Sequence, residues 1–334
     1  DPMKSAPREL KTLDGREIII RANVDLADVY QRAKQLGSRG IGLYRSEFLF
    51  NQFKGFPSEA EQVRAYKKIA SEAAGDPVRI RTFDLSADQL VAQTGEKEKN
   101  PALGVRAIRL MLSHRKEFRT QLRAILMASV EHPIDIVVPM MSDIAEIDET
   151  KQLLEGERQA LKKKGVVIAM PKIGAMLEVP ATVMIAEDIG REVDFFCLGT
   201  NDLVQYLLAV DRDNAGVAES FRSLHPAVLR SIRTVLAAGA KCGIPTVVCG
   251  EMAGSPAYVA LLVGLGATEL SMNVNSIPRV RRTVEAIAYE EARNIVNEVA
   301  ASRRSDEVED TIRSRFKEKW SHIFTDDLLP VKRR

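Results

Sequence analysis

Three arginines (Arg45, Arg81 and Arg212), two carboxylates (Glu178 and Asp202) and one cysteine (Cys249) stand at, or just beyond, the ends of short apolar runs. The guanidinium fork suits bidentate pairing with phosphate or carboxylate. Three such groups imply an anion with several negative oxygens. Two carboxylates following neighbouring runs suit a hard divalent cation, and Mg²⁺ commonly takes one or two carboxylates plus substrate oxygens. Cys249, followed by Gly250 and Glu251, is placed to donate or accept a proton or to attack a substrate. An anion, a magnesium ion and a proton donor together point to phosphoryl or enolate chemistry.

The elements that must carry these groups follow a regular alternation. Eight strand candidates lie at 17–23, 42–45, 78–83, 135–139, 171–177, 194–199, 246–249 and 269–272. Several are nearly all apolar, the habit of parallel strands buried on both faces. Between them, amphipathic stretches predict helices at 25–36, 58–73, 142–164, 180–190, 226–243, 255–266 and 278–289, two more within 100–129, and extra C-terminal helices at 290–301 and 306–320. Ser58 and Glu61 form a capping box at the head of one of them. Strands alternating with helices predict an α/β fold, a (β/α)8 barrel with extra C-terminal helices. An open doubly wound sheet fits less well, because no G-x-G-x-x-G fingerprint follows a strand.

Barrels of this kind do their chemistry at the C-terminal ends of the strands. Asn23, Arg45 with Glu47, Arg81 with Asp84, Glu178, Asn201 with Asp202, Cys249 with Glu251, and Asn273 fall at seven of the eight ends. Strand four contributes no polar group. Cys197 and Cys242 read as small buried hydrophobes. The four histidines, His114, His132, His225 and His322, have no partner at ligand spacing and are assigned no role.

Composition narrows the classes. Lys plus Arg number 48 against 46 Asp plus Glu, a net charge of +2, which excludes a strongly basic nucleic-acid binder and an acidic tail protein. With 45% hydrophobic and 28% charged residues, the chain is a folded globular protein rather than a disordered one. The length of 334 residues suggests two domains, but one α/β barrel reaches about 250 residues or more. Three scattered cysteines form no disulfide framework and fit a reducing, cytoplasmic setting. No apolar run reaches the roughly 18 residues of a membrane span. The start at Asp1-Pro2-Met3 suggests an excised piece, with 1–14 an extension or linker remnant and 15–334 the barrel.

Ordered strings then give a resemblance. Residues 40–50 (GIGLYRSEFLF), 100–109 (NPALGVRAIR), 178–181 (EVPA), 194–203 (DFFCLGTNDL) with Gln205-Tyr206 and Val210-Asp211-Arg212, 249–254 (CGEMAG), and Ser271-Met272 followed by 276–279 (SIPR) resemble the phosphoenolpyruvate-utilising family, most closely its enzyme I branch of the sugar phosphotransferase system. The resemblance implies the phosphoenolpyruvate-binding and dimerising (β/α)8 domain of a Mg²⁺-dependent phosphotransferase, the first step of a phosphorelay. In that scheme the phosphoryl group passes to a histidine on an N-terminal domain absent from this chain, then to a histidine-containing phosphocarrier protein, and pyruvate is released. By motif position, Arg45 and Arg81 grip phosphate, Arg212 and Asn201 contact substrate, and Arg106 is a further phosphate-side group. Glu178 and Asp202 resemble the magnesium ligands and Cys249 the acid that protonates the enolpyruvate carbon.

One loop departs from the pattern. The family's Arg-Thr-x-Asp-x-Gly-Gly-Asp-Lys reads here Arg81-Thr-Phe-Asp-Leu-Ser86-Ala87-Asp88-Gln89, without the two glycines and the lysine. If the loop requires positive φ, Ser86 and Ala87 resist it. This leaves three alternatives: a nitrogen-type paralogue, a non-catalytic phosphoenolpyruvate sensor, or a fragment like pyruvate phosphate dikinase.

Overall fold

The computed structural model describes residues 6–90 and 98–325. Eight strands close a barrel in sequence order, every neighbouring pair parallel. In chain order the elements are β1 (Ile19–Val24), α1 (Val29–Gln35), β2 (Ile41–Arg45), α2 (Glu47–Phe53), α3 (Glu59–Ala73), β3 (Val78–Arg81), α4 (Ile108–Ser113), α5 (Arg115–Ala128), β4 (Asp135–Val138) and α6 (Ile144–Lys163). There follow β5 (Ile173–Leu177), α7 (Pro180–Met184), α8 (Ala186–Gly190), β6 (Phe195–Leu198), α9 (Thr200–Leu208), α10 (Pro226–Cys242), β7 (Thr246–Val248), α11 (Pro256–Gly264), β8 (Glu269–Asn273), α12 (Ile277–Ala286), α13 (Tyr289–Ala300) and α14 (Ser305–Trp320). The expected barrel and all eight expected strands are present. Among the described residues no helix is long and apolar enough to cross a membrane.

Two helices were not legible in the sequence. α2 and α9 begin one or two residues after their strands, so their first turns read as rim loops. The stretch 180–190 is two short helices broken at Ile185 rather than one. The capping box at the head of α3 forms as expected, with Ser58 N–H donating to Glu61 at 2.7 Å.

Side chains alternate between the two faces of each strand. Ile80, Ile136, Ala175 and Phe196 face outward into the large core shared with the helices. Leu43, Val137, Met176, Phe195, Cys197, Val247 and Cys249 form a separate cluster that fills the barrel interior. The same alternation turns Arg79 and Arg81 inward. At the barrel floor Arg79 lies 4.3 Å over the Phe195 ring, and Arg21 donates to Glu269 at 2.8 Å. This buried floor layer closes the bottom, so the mouth at the other end is the open one.

The segment before β1 is tied to the C-terminal helices. Leu13 N–H donates to the Ile287 carbonyl, and the Asp14 carboxylate accepts from the N–H groups of Tyr289 (2.8 Å) and Glu290 (3.0 Å), capping α13 from the far end of the chain. Slight burial works against ionisation of Asp14, but the Thr12 hydroxyl and the Glu290 and Tyr289 N–H groups outweigh it and hold the carboxyl down to about 2. A depressed carboxylate contributes stability above its unfolded pKa and loses it as pH falls through the folded one. Asp14→Ala is therefore expected to cost about 1 kcal/mol at neutral pH, less than the full shift implies because water screens an exposed group. Denaturant titrations should show the variant and the parent converging between about pH 4 and pH 2. A constant difference across that window would contradict the cap.

Candidate active site

A cleft of about 1160 Å³ opens at the C-terminal mouth of the barrel, lined by Arg45, Arg81, Glu178, Asn201, Asp202, Arg212 and Cys249 among others. Seven of the eight site residues expected from the sequence therefore line one cleft. The eighth, Arg106, stands behind it.

At the centre is a buried chain of alternating charge. Arg81, at the end of β3, pairs with Glu47 at the start of α2 and with Asp84 at 3.3 Å. Asp84 accepts from Arg106 at 2.9 and 3.1 Å, and Arg106 reaches Asp202 at 3.3 Å and the Tyr206 hydroxyl at 3.0 Å. Burial alone would lower the pKa of both arginines, but the carboxylates around them raise it, so both stay charged. Burial works against Asp84, which Arg81 and Arg106 nevertheless hold below the usual carboxylate range. Glu47 goes the other way, pushed up by burial despite Arg81.

The loop after β3 sets Arg106 in place. Ala87 N–H donates to the Val105 carbonyl, Ala107 N–H to the Leu85 carbonyl, and Ser86 pairs with Arg106 across an antiparallel bridge. Neither Ser86 nor Ala87 takes positive φ; the strained position is Ala107, at φ 50°. Gln89 accepts from Ser86 N–H at 2.9 Å, and residues Ala87–Leu90 form a 3₁₀ turn. Ser86 and Ala87, which replace the glycines of the pattern, thus sit in the loop without left-handed backbone.

Glu178, 1% exposed, ends β5, and its Oε1 accepts from Met140 N–H at 2.7 Å. Met140 follows β4 with φ 55°, so the strand that lacked a polar residue contributes a backbone donor. No side-chain pattern could have revealed it. Burial, reinforced by Asp202 and Asp84, pushes Glu178 well above the ordinary carboxyl range. Glu47, Asp84, Asp202 and Glu178 face Arg81 and Arg106, and Arg212 also acts on Asp84. The four carboxylates outnumber the three guanidiniums, and the upward push on Glu178 and Glu47 marks a crowding of negative charge that a divalent cation offsets. Among the described residues no group of three or more His, Cys, Asp or Glu is arranged to hold a metal. A two-carboxylate set, Glu178 with Asp202, completed by water and substrate oxygens, fits Mg²⁺ rather than a closed metal site.

Cys249, 6% exposed, lies just past β7 in the interior cluster. The neighbouring Cys197 and burial push the thiol well above the ordinary range, so it keeps its proton at neutral pH, and its Sγ donates to the Leu198 carbonyl at 3.5 Å. Asn23 Nδ2 donates to the Cys249 carbonyl at 3.0 Å, and Ser271 Oγ donates to Asn23 Oδ1 at 2.6 Å. Asn201 accepts from Glu251 N–H at 2.9 Å. Arg45 is held by Asp25 through two hydrogen bonds of 2.7 and 2.9 Å and remains 43% exposed, a hinged rather than buried guanidinium. Arg212 N–H donates to Gln205 at 3.0 Å; among the described residues no carboxylate pairs with its guanidinium.

Residues 3–289 match the family model described as PEP-utilising enzyme, PEP-binding domain. A phosphoenolpyruvate-protein phosphotransferase of Cupriavidus necator H16 is 41% identical over 293 residues, covering 86% of this chain and 50% of that protein. One of Geobacillus stearothermophilus is 40% identical, covering 91% and 53%. A phosphoenolpyruvate-dependent phosphotransferase system protein of Salmonella typhimurium LT2 is 40% identical, covering 90% and 40%. The chain thus spans about half the length of the curated relatives it matches. A solved citrate lyase from Burkholderia xenovorans LB400, 16% identical with a TM-score of 0.50 over 93% of this chain and 94% of that one, shares the fold alone.

Gly250 makes one part of this site testable. A Cβ there would stand 1.9 Å from Thr200 Oγ1 and 2.8 Å from Thr200 N. Gly250→Ala should therefore cost about 1–3 kcal/mol through overpacking, read as a lowered unfolding midpoint in denaturant. An unchanged midpoint would mean that the β6 and β7 ends do not meet this closely.

Proposed function

The chain belongs to the PEP-utilising enzymes and carries their phosphoenolpyruvate-binding domain, and on that premise we propose that it is the phosphoenolpyruvate-binding half of a phosphoenolpyruvate-protein phosphotransferase. The observation that carries the reading is the juxtaposition, in one cleft, of Arg81, the Glu178–Asp202 pair and the neutral Cys249 thiol.

In this reading Arg81 fixes a phosphate oxygen while its carboxylate partners prevent it from moving. Preorganised charge of this kind needs no reorganisation during reaction. Arg45 and Arg212, less constrained, close on the remaining oxygens, and Asn201 donates to the substrate. Mg²⁺ bound by Glu178 and Asp202 supplies neutralisation of the phosphoryl and enolate oxygens. Phosphoryl transfer asks mainly for positioning and charge compensation. The P–O bond to the enol oxygen breaks as a bond to the acceptor nitrogen forms. Cys249 gives its proton to the methylene carbon of the departing enolate, yielding pyruvate, and recovers a proton from solvent.

None of the four histidines lines the cleft. We therefore place the acceptor histidine on an N-terminal domain outside this chain, and a histidine-containing phosphocarrier protein downstream of it. Homodimerisation is part of the proposal and rests on the resemblance; sedimentation that shows only monomer at micromolar concentration, with and without ligand, would remove it. A cytoplasmic setting is supported by three free cysteines.

Calorimetric titration should show phosphoenolpyruvate binding that requires Mg²⁺. Arg81→Ala should weaken it about 100-fold (~3 kcal/mol), the scale of removing one partner of a buried charge pair. Cys249→Ala should keep binding but, with the histidine domain supplied, slow pyruvate release by about 100-fold or more. Absence of binding by the parent protein with metal present would sink the proposal. Binding without pyruvate release would favour the non-catalytic sensor.

A further inference from the structure

Beneath the cleft, on the outer side of the barrel wall, lies a second polar cluster that none of the preceding chemistry uses. Ser46, Gln62, Tyr66 and Gln121 are each at most 1% exposed. They come from the β2–α2 junction, α3 and α5. Gln62 Nε2 donates to the Pro57 carbonyl at 3.0 Å, and the Tyr66 hydroxyl donates to Gln62 Oε1 at 3.0 Å. Gln121 Nε2 donates to both the Tyr66 hydroxyl (3.1 Å) and Ser46 Oγ (3.0 Å). Gln121 Oε1 accepts from Phe83 N–H at 3.1 Å, and Ser46 Oγ donates to the Arg81 carbonyl at 2.6 Å.

Two features make this more than interior polarity. Every bond is directional and mutually consistent: because Gln121 Oε1 must accept from Phe83, its amide nitrogen can only face Ser46 and Tyr66. Ser46 also stands at the N-cap position of α2 yet makes no capping bond. A serine there ordinarily caps its helix; this one gives its hydroxyl proton to the Arg81 backbone instead. The network therefore grips the chain on both sides of the turn, at Arg81 and at Phe83, and so sets where the Arg81 side chain emerges. A fully satisfied buried network is rigid and directional, whereas a partly satisfied one is costly.

The geometry points to Gln121 as a positioning residue for the phosphate-gripping Arg81, acting from a peripheral helix through Ser46 and the β3 turn. This deepens the reading of the cleft as a phosphoenolpyruvate site and rests on it. Gln121 touches no substrate. Its effect passes through Arg81 alone.

The test is a double-variant cycle on phosphoenolpyruvate affinity with Mg²⁺, measured by calorimetry on the whole chain. Gln121→Leu should weaken binding about tenfold in the parent background, since a misplaced group far from the chemistry is felt at the site. In an Arg81→Lys background the same substitution should change affinity by under about twofold. A folded Gln121→Leu protein with parental affinity overturns the inference, and so does an equal loss in both backgrounds, which marks general loosening. Should Gln121→Leu not fold, Ser46→Ala, which deletes one hydroxyl, carries the same cycle with the same expectations and the same overturning results. If the parent protein itself binds no phosphoenolpyruvate, the reading of the cleft fails first and the inference falls with it; parental binding with indifferent variants fails the inference alone.

Discussion

The constraint on which the rest of this structure turns is the burial of a permanently charged guanidinium at the end of β3. Removing Arg81 from water costs several kcal/mol unless opposite charge surrounds it. Glu47 and Asp84 supply that charge, and each then has to be accommodated in turn. Asp84 is shared with Arg106, and Arg106 with Asp202, so one buried arginine organises the ends of β3, β5 and β6 and the starts of α2 and α9. The sequence of alternating charges does not close on neutrality. It ends in carboxylates, and the cleft is consequently acidic at the base and basic at its margin, where Arg45 and Arg212 stand. That polarity is complementary to a ligand presenting a cation inward and anionic oxygens outward.

Much of this was legible in the residues. Continuous apolar runs at regular intervals gave the eight parallel strands, because a strand covered by helices on one side and by the barrel interior on the other has no face for polar groups. The rule that chemistry gathers at strand ends then collected Arg45, Arg81, Glu178, Asp202 and Cys249 before any coordinates. Arg106 could be named only through resemblance; nothing in its own context, a loop after a proline turn, marks it as facing the rim, and the structure sets it behind the cleft wall. Other participants left no trace in residue type. The Met140 donor is a backbone N–H, and its left-handed conformation is carried by a residue that gives no hint of it. Asp25 reads as the head of a helix, not as the partner of Arg45. α2 and α9 were missed because each starts almost at the strand end, where polar residues serve cap, rim and site at once.

The altered loop after β3 is held by its own backbone pairing rather than by glycines. Glycines would grant freedom there, but the loop pairs Leu85 and Ala87 with 105–107, and among its described residues the strained one is Ala107, outside the altered stretch. The loop as it stands places Arg106 over Asp84.

The last two helices carry a consequence for where this unit ends. The family match stops at residue 289, yet α13 and α14 continue the fold. Glu309, on α14, pairs with Arg222 at 2.8 Å and lines the same cleft as Arg81. Phe316 stacks on Phe324 and both meet the Trp320 ring edge-on, all three buried. An excision drawn at residue 289 would therefore strip a wall from the cleft and lay bare an aromatic seam. The cooperative unit is longer than the stretch the family model matches.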